Sequence, residues 1–150
     1  MKSFLMVCLG NICRSPLAEG LLKSKVSEDI LVDSAGTSAQ HAGELPDPRS
    51  IEIATKYQLD ITDQRSRKFT VDDFDNFDKI YVMDSSNYNN VKKVARNDQD
   101  MDKVELIMNE LYPNQNQTVP DPYFGGASGF EHVYEMLDQA TDKIVEKYKL

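Results

Sequence analysis

Cys8-Leu9-Gly10-Asn11-Ile12-Cys13-Arg14-Ser15-Pro16 is the stretch from which the rest of the chain is read. Before it, Phe4-Leu5-Met6-Val7 is a short apolar run of the kind that forms a buried strand, here ending at Cys8. After it, Ser15 suits a helix N-cap and Pro16 the first helical position, so a helix is expected to start there. The order strand, loop, helix N-terminus brings loop N–H groups and the positive helix end toward one point. A thiol held there, Cys8, is expected to ionise readily, since such thiols titrate at roughly 3.5–7.5 rather than roughly 8.5. Arg14 can grip two oxygens of one anion through its planar fork, which an ammonium cannot. Gly10 and Asn11 tolerate left-handed backbone, as a tight turn around an anion requires. A Cys merely packed at a strand end would explain Cys8 alone; it leaves the other members of the loop without a role.

Working outward, apolar strands keep alternating with helical patterns, which predicts a parallel sheet with helices on both faces. Strands are expected over 3–9, 30–34, 79–83 and 104–108, the last with a pattern that fits either period. Leu17, Ala18, Leu21, Leu22 and Val26 mark a first helix, with Gly20 as its weak spot. Ile51, Ala54 and Tyr57 mark a second, and Tyr88, Val91 and Ala95 another. Phe130, Val133, Tyr134, Leu137, Ile144 and Tyr148 stripe a long final helix, with Ser128 and Glu131 as a capping box. Segments 36–48 and 114–118 read as loops. In open parallel sheets ligands bind beyond the C-terminal strand ends, which places Cys8, Ser34 and Asp84 on one edge.

A chain of 150 residues suits one domain, and no apolar run approaches the roughly 20 residues of a membrane span. The N-terminal run lacks a signal-peptide cleavage pattern, so a cytoplasmic protein is expected. The net charge of −8 argues against nucleic acid and anionic membrane surfaces as partners. Arg65, Arg67 and Lys68 read as a solvated basic face, and His41 and His132 as exposed side chains. Cys8 and Cys13 are too close for a useful structural disulfide, which leaves a reversible, oxidation-induced bridge or simple packing of Cys13 as the alternatives.

The stretch from Val7 to Pro16 resembles the phosphate-binding loop of the low-molecular-weight protein tyrosine phosphatases. Asp33-Ser34-Ala35-Gly36-Thr37, Met83-Asp84-Ser85-Ser86-Asn87 and Asp121-Pro122-Tyr123-Phe124-Gly125-Gly126 agree with that family in order. The resemblance implies one α/β domain over 1–150, three-layered, with a four-stranded parallel sheet and helices on both faces. It implies hydrolysis of phosphotyrosine through a phosphocysteine, with phosphotyrosyl proteins as substrates and inorganic phosphate as product. A tyrosine kinase or surface-polysaccharide machinery is a candidate source of substrate by analogy with bacterial relatives. Carried over by position, Cys8 is the nucleophile and Asp121 the general acid, later the base. Arg14 and the loop residues Leu9, Gly10, Asn11, Ile12 and Cys13 hold the phosphoryl group. Ser15 donates to the thiolate, and Ser34 supports the loop with Asn11. Tyr123 and Phe124 wall the phenyl ring opposite Ile12. No cofactor or metal is expected, because the loop and Arg14 supply the positive charge.

One departure stands out. Many family members carry a His in the segment that here reads Gln64-Arg65-Ser66-Arg67-Lys68, and Gln64 takes its place. Three rival functions remain. Arsenate reduction on this scaffold needs further cysteines, and none follows Cys13. Arginine phosphatases have similar loops but carry Thr where Ile12 stands. A non-enzymatic phosphate-binding module would be expected to lack the nucleophile or the acid.

Overall fold

Strands β1 (Ser3–Cys8), β2 (Leu31–Gly36), β3 (Lys79–Val82) and β4 (Val104–Leu106) form one parallel sheet in the order β2-β1-β3-β4. The structure, a computed structural model, describes residues 1–123 and 125–150. The apolar run at β1 is continuous because this central strand is buried on both faces. Phe4, Met6 and Cys8 face one core, together with Leu17, Leu21 and Leu22 of α1 (Arg14–Lys25) and Val133, Leu137 and Ile144 of α6 (Ala127–Tyr148). Leu5 and Val7 face the other, with Phe69, Phe74 and Phe77 and with Val91 of α4 (Ser85–Lys92). This is the three-layer arrangement that the alternation of strands and helices predicts. The chain leaves β1 for the edge strand β2, then crosses back over β1 to β3, so the strand order reverses beside β1. A crevice opens at such a point, beyond the strands' C-terminal ends.

Several local expectations give way to packing. The first helix begins at Arg14, with Cys13 as N-cap and no side-chain cap, so Ser15 lies inside it. Its hydroxyl is taken by Cys8 and Asn11 instead. Residues 14–22 of α1 are buried all round, because the helix sits between the sheet, α6 and the 61–64 segment. Glu131 does not close a capping box either. It accepts from Lys56 Nζ (2.9 Å) and Tyr57 Oη (2.5 Å), joining α2 (Pro48–Lys56) and its C-cap to α6. The ambiguous 104–108 run is a three-residue strand followed by a 3₁₀ turn, Ile107–Glu110. Two short helices, α3 (Asp73–Asn76) and α5 (Asp98–Asp102), lie outside the sequence expectations because one turn carries no periodic signal. Arg67 is no free surface charge: its guanidinium pairs with Asp33 (3.1 Å) and Asp73 (3.0 Å). Among the described residues, no helix is long and apolar enough to cross a membrane.

At Gly20, α1 packs tightly on the 61–64 segment, since a Cβ there would lie 2.6 Å from Ile61 Cγ2. Gly20→Ala would remove a helix-propensity penalty of about 1 kcal/mol. Overpacking a filled core costs about 1–3 kcal/mol, so the net change should be destabilising. The urea midpoint is expected to fall for Gly20→Ala in the parent. In an Ile61→Ala background the same substitution should raise it, and a fall in both backgrounds would refute the clash.

Candidate active site

The loop between β1 and α1 is shaped by what holds its carbonyls. Cys8 O accepts from Thr37 N–H (2.9 Å), Leu9 O from Ser38 N–H (2.9 Å) and Ile12 O from Asp47 N–H (2.8 Å). Gly10 O accepts from Ser66 Oγ (3.0 Å) and Cys13 O from Ser50 Oγ (3.2 Å). Five carbonyls are thus drawn outward by donors from three other segments. Across a trans peptide the next N–H points the opposite way, so the N–H groups of residues 9, 10, 11, 13 and 14 turn from these donors toward the loop interior. Asn11 N–H shows the consequence, lying 3.3 Å from Cys8 Sγ. The left-handed residue is Asn11 (φ 55°). Below the loop, Gly36 leaves room: a Cβ there would lie 2.8 Å from Leu9 O and 3.1 Å from Asn11 N.

Beneath the loop runs a buried chain of polar side chains. Asn11 Nδ2 donates to Ser15 Oγ (2.8 Å) and to Ser34 Oγ (2.9 Å), while its Oδ1 accepts from Arg67 N–H (3.0 Å). Ser34 Oγ in turn donates to Glu19 Oε1 (2.7 Å). Ser15 Oγ, which accepts from Asn11, also lies 3.1 Å from Cys8 Sγ, where its hydrogen is free to be donated to a thiolate. Glu19 is buried, which pushes its carboxyl up, while bonds from Lys23 (2.6 Å) and Ser34 act against that shift. Gln64, where the family's His is missing, is buried and donates to Pro16 O (3.0 Å).

Above the loop is an open pocket. Cys8, Cys13 and Arg14 lie toward its base, with Ile12, Leu9 and Gly10 on the loop side. Ser38, Gln40 and His41 contribute from the segment after β2, and Asp121 and Tyr123 from the segment before α6. Arg14 is almost wholly buried, and its Nη1 donates to Asp84 Oδ2 (2.7 Å) and Val119 O (3.0 Å). Its Nη2 lies 3.7 Å from Asp121 Oδ2. Nη1 is therefore committed to positioning, while Nη2 lies on the side of Asp121, with which Arg14 lines the pocket. Asp84 also caps α4 through Asn87 N–H (2.7 Å), which ties the arginine's orientation to β3 and the helix behind it.

Of the residues singled out from sequence, Cys8, Leu9, Gly10, Ile12, Cys13, Arg14, Asp121 and Tyr123 share this pocket. Asn11, Ser15 and Ser34 lie beneath it as hydrogen-bonding partners. Phe124 is outside the described residues. His41, read as an exposed side chain, instead lines the pocket with its Nδ1 2.9 Å from Glu44 Oε2. The anchoring parts played by Asp84, Asp47, Ser50, Ser66 and Glu19 were missed. Two left a signal, since Asp84 and Asp47 each precede a helix as N-cap residues, and Pro48 follows Asp47 at the first helical position.

Comparison with known proteins agrees with this architecture. The family model for low molecular weight phosphotyrosine protein phosphatase matches residues 3–149. A relative of that name from Schizosaccharomyces pombe is 42% identical over 139 residues, covering 89% of this chain and 88% of its own. A protein tyrosine phosphatase from Entamoeba histolytica, solved with Hepes in its active site, superposes with a TM-score of 0.90 at 34% identity over the whole of both chains. An arginine phosphatase from Drosophila superposes equally well, at 0.90 and 31% identity, covering 100% of this chain and 99% of that one. The chain belongs to the low-molecular-weight phosphotyrosine protein phosphatase family. Its activity is that of the family, a cysteine-based phosphoric monoester hydrolase.

Cys13 is a second buried thiol at the base of the pocket. Burial first, then the nearby Asp47, Cys8 and Asp121, push it up from 9.0 to about 12. Tyr134 rises likewise from 10.0 to about 12, chiefly through burial. In the unfolded chain these groups lose their protons first, so the unfolded state binds fewer protons and stability falls as pH rises from about 9 toward about 12. The urea midpoint is expected to decline over the lower part of that range, and less steeply in Cys13→Ser. Parallel curves for parent and variant would remove Cys13 from the account.

Proposed function

We propose that Cys8 is the nucleophile and Asp121 the proton donor in the hydrolysis of phosphotyrosine in proteins. The observation that carries this reading is the meeting, in one pocket, of a thiol at a helix N-terminus, a buried arginine and a half-exposed carboxylate. In the first step Cys8 Sγ attacks phosphorus in line, the bond from phosphorus to the tyrosyl oxygen breaks, and Asp121 gives that oxygen its proton. In the second step water attacks phosphorus, Asp121 takes the water's proton, and the phosphorus–sulfur bond breaks to release inorganic phosphate. The inward N–H groups and Arg14 balance the charge on the equatorial oxygens. The Ser15 hydroxyl, 3.1 Å from Sγ, stabilises the thiolate when it leaves.

Ile12 and Tyr123 both line the pocket and suit a flat apolar ring. The likeness to the Drosophila arginine phosphatase makes phosphoarginine the second reading. An apolar side chain at Ile12 favours a phenyl ring over a guanidinium, because it offers a cation no acceptor.

Cys8→Ser should bind inorganic phosphate and keep the parent's unfolding curve while losing turnover of phosphotyrosine. Hydrolysis by that variant near the parent rate would exclude Cys8 as nucleophile. Ile12→Thr should lower kcat/KM for phosphotyrosine roughly ten-fold, the scale of lost apolar contacts in a pocket, and shift the ratio toward phosphoarginine. An unchanged ratio of the two activities would show that Ile12 sets no preference.

A further inference from the structure

Asp121 stands on an exposed turn, yet proton transfer needs it held within hydrogen-bond reach of the leaving oxygen, about 2.6–3.2 Å. The near side of that turn is anchored. Val119 N–H donates to Met83 O (2.9 Å), and Val119 O accepts from Arg14 Nη1 (3.0 Å). The far side reaches a different arginine. Arg49 Nη1 donates to Gly125 O (3.4 Å), and its guanidinium carbon stands 5.4 Å from the centre of the Tyr123 ring and 4.6 Å from that of Phe130.

We propose that Arg49 is a positioning residue that ties the turn carrying Asp121 to the phosphate loop and so sets the reach of the general acid. The proposal rests on the acid role of Asp121 given above. Arg49 is itself firmly seated, since its Nε and Nη2 donate to Asp47 Oδ1 and Oδ2, both at 3.0 Å. Asp47 is buried and belongs to the phosphate loop's own support: its N–H holds Ile12 O, and Ser50 in the first turn of α2 holds Cys13 O. On the other side, Tyr123 N–H donates to Asp121 Oδ1 (3.0 Å), and Gly125 N–H closes the turn on Pro122 O (2.9 Å). A continuous path therefore runs from Ile12 through Asp47 and Arg49 to Tyr123 and Asp121. Arginine suits it because a planar fork can hold a carboxylate on one edge while its face lies against aromatic rings. Lysine can supply the charge but not both contacts at once.

The test compares a poor leaving group, phenyl phosphate, with a good one, nitrophenyl phosphate. Arg49→Met should lower kcat/KM for phenyl phosphate roughly ten-fold more than for the nitrophenyl ester, part of the roughly 10²–10⁴-fold that a placed acid contributes. Competitive inhibition by inorganic phosphate should stay within about two-fold of the parent, because the anion cradle is untouched. Arg49→Lys should show the same bias at smaller size, and it carries the test if the Met variant does not fold. In an Asp121→Asn background Arg49→Met should add no further bias, since both act through one proton. Equal losses on both esters, or a matching loss of phosphate affinity, would reduce Arg49 to general support and overturn the proposal. Bias in Asp121→Asn without bias in Arg49→Met would overturn it alone. An Asp121→Asn enzyme that loses both esters equally would remove the acid role and this proposal together.

Discussion

The site depends on the outward pull on five loop carbonyls. A short turn cannot arrange inward N–H groups by itself, because each peptide is free to flip unless its oxygen is held. Donors from Thr37, Ser38, Asp47, Ser50 and Ser66 supply that hold, and all come from segments that the sheet and α2 bring up beside the loop. The left-handed turn at Asn11 is kept in place by the same means, its side chain bonded to Ser15, Ser34 and Arg67. Its conformational cost, of order 1 kcal/mol for a residue of this kind, is set against two buried hydrogen bonds and a third that is partly buried.

Charge is handled with the same economy. The protein is strongly acidic as a whole, yet the pocket base holds a buried arginine beside a helix N-terminus that no side chain caps. Asp84 holds Arg14 without cancelling its use, because it occupies Nη1 and leaves Nη2 on the side of Asp121. Glu19 and Lys23 form a second pair below the loop, where the carboxylate orients Ser34 and through it Asn11. Removing Lys23, itself half exposed, would leave the buried Glu19 carboxylate uncompensated, and removing Asp84 would do the same to the buried Arg14, which is why these pairs hold geometry more than they add stability.

The parts of the site that were legible in the sequence are those whose residue types announce their chemistry at short range. Cys8, Arg14 and Asn11 lie within one loop, and Asp121 is framed by two prolines. Ser15 shows the limit. Its type and its neighbour Pro16 pointed to an N-cap, but a nearby sulfur and an amide offered its hydroxyl better partners, and the helix began one residue earlier. His41 shows another, since a polar loop gives no sign of which of its side chains will bend back over Gly10.

The alternation of strands and helices, the buried central strand and the residue types of the loop are written into the chain locally, because hydrophobic period and backbone preference act over a few residues. Only the tertiary structure decided which donors hold the loop carbonyls, that Asp84 seats Arg14, and that Arg49 links α2 to the turn carrying Asp121. Those contacts join residues 29 to 76 positions apart. Their partners become neighbours only after the sheet has ordered its strands, and until then any of several polar side chains could have served.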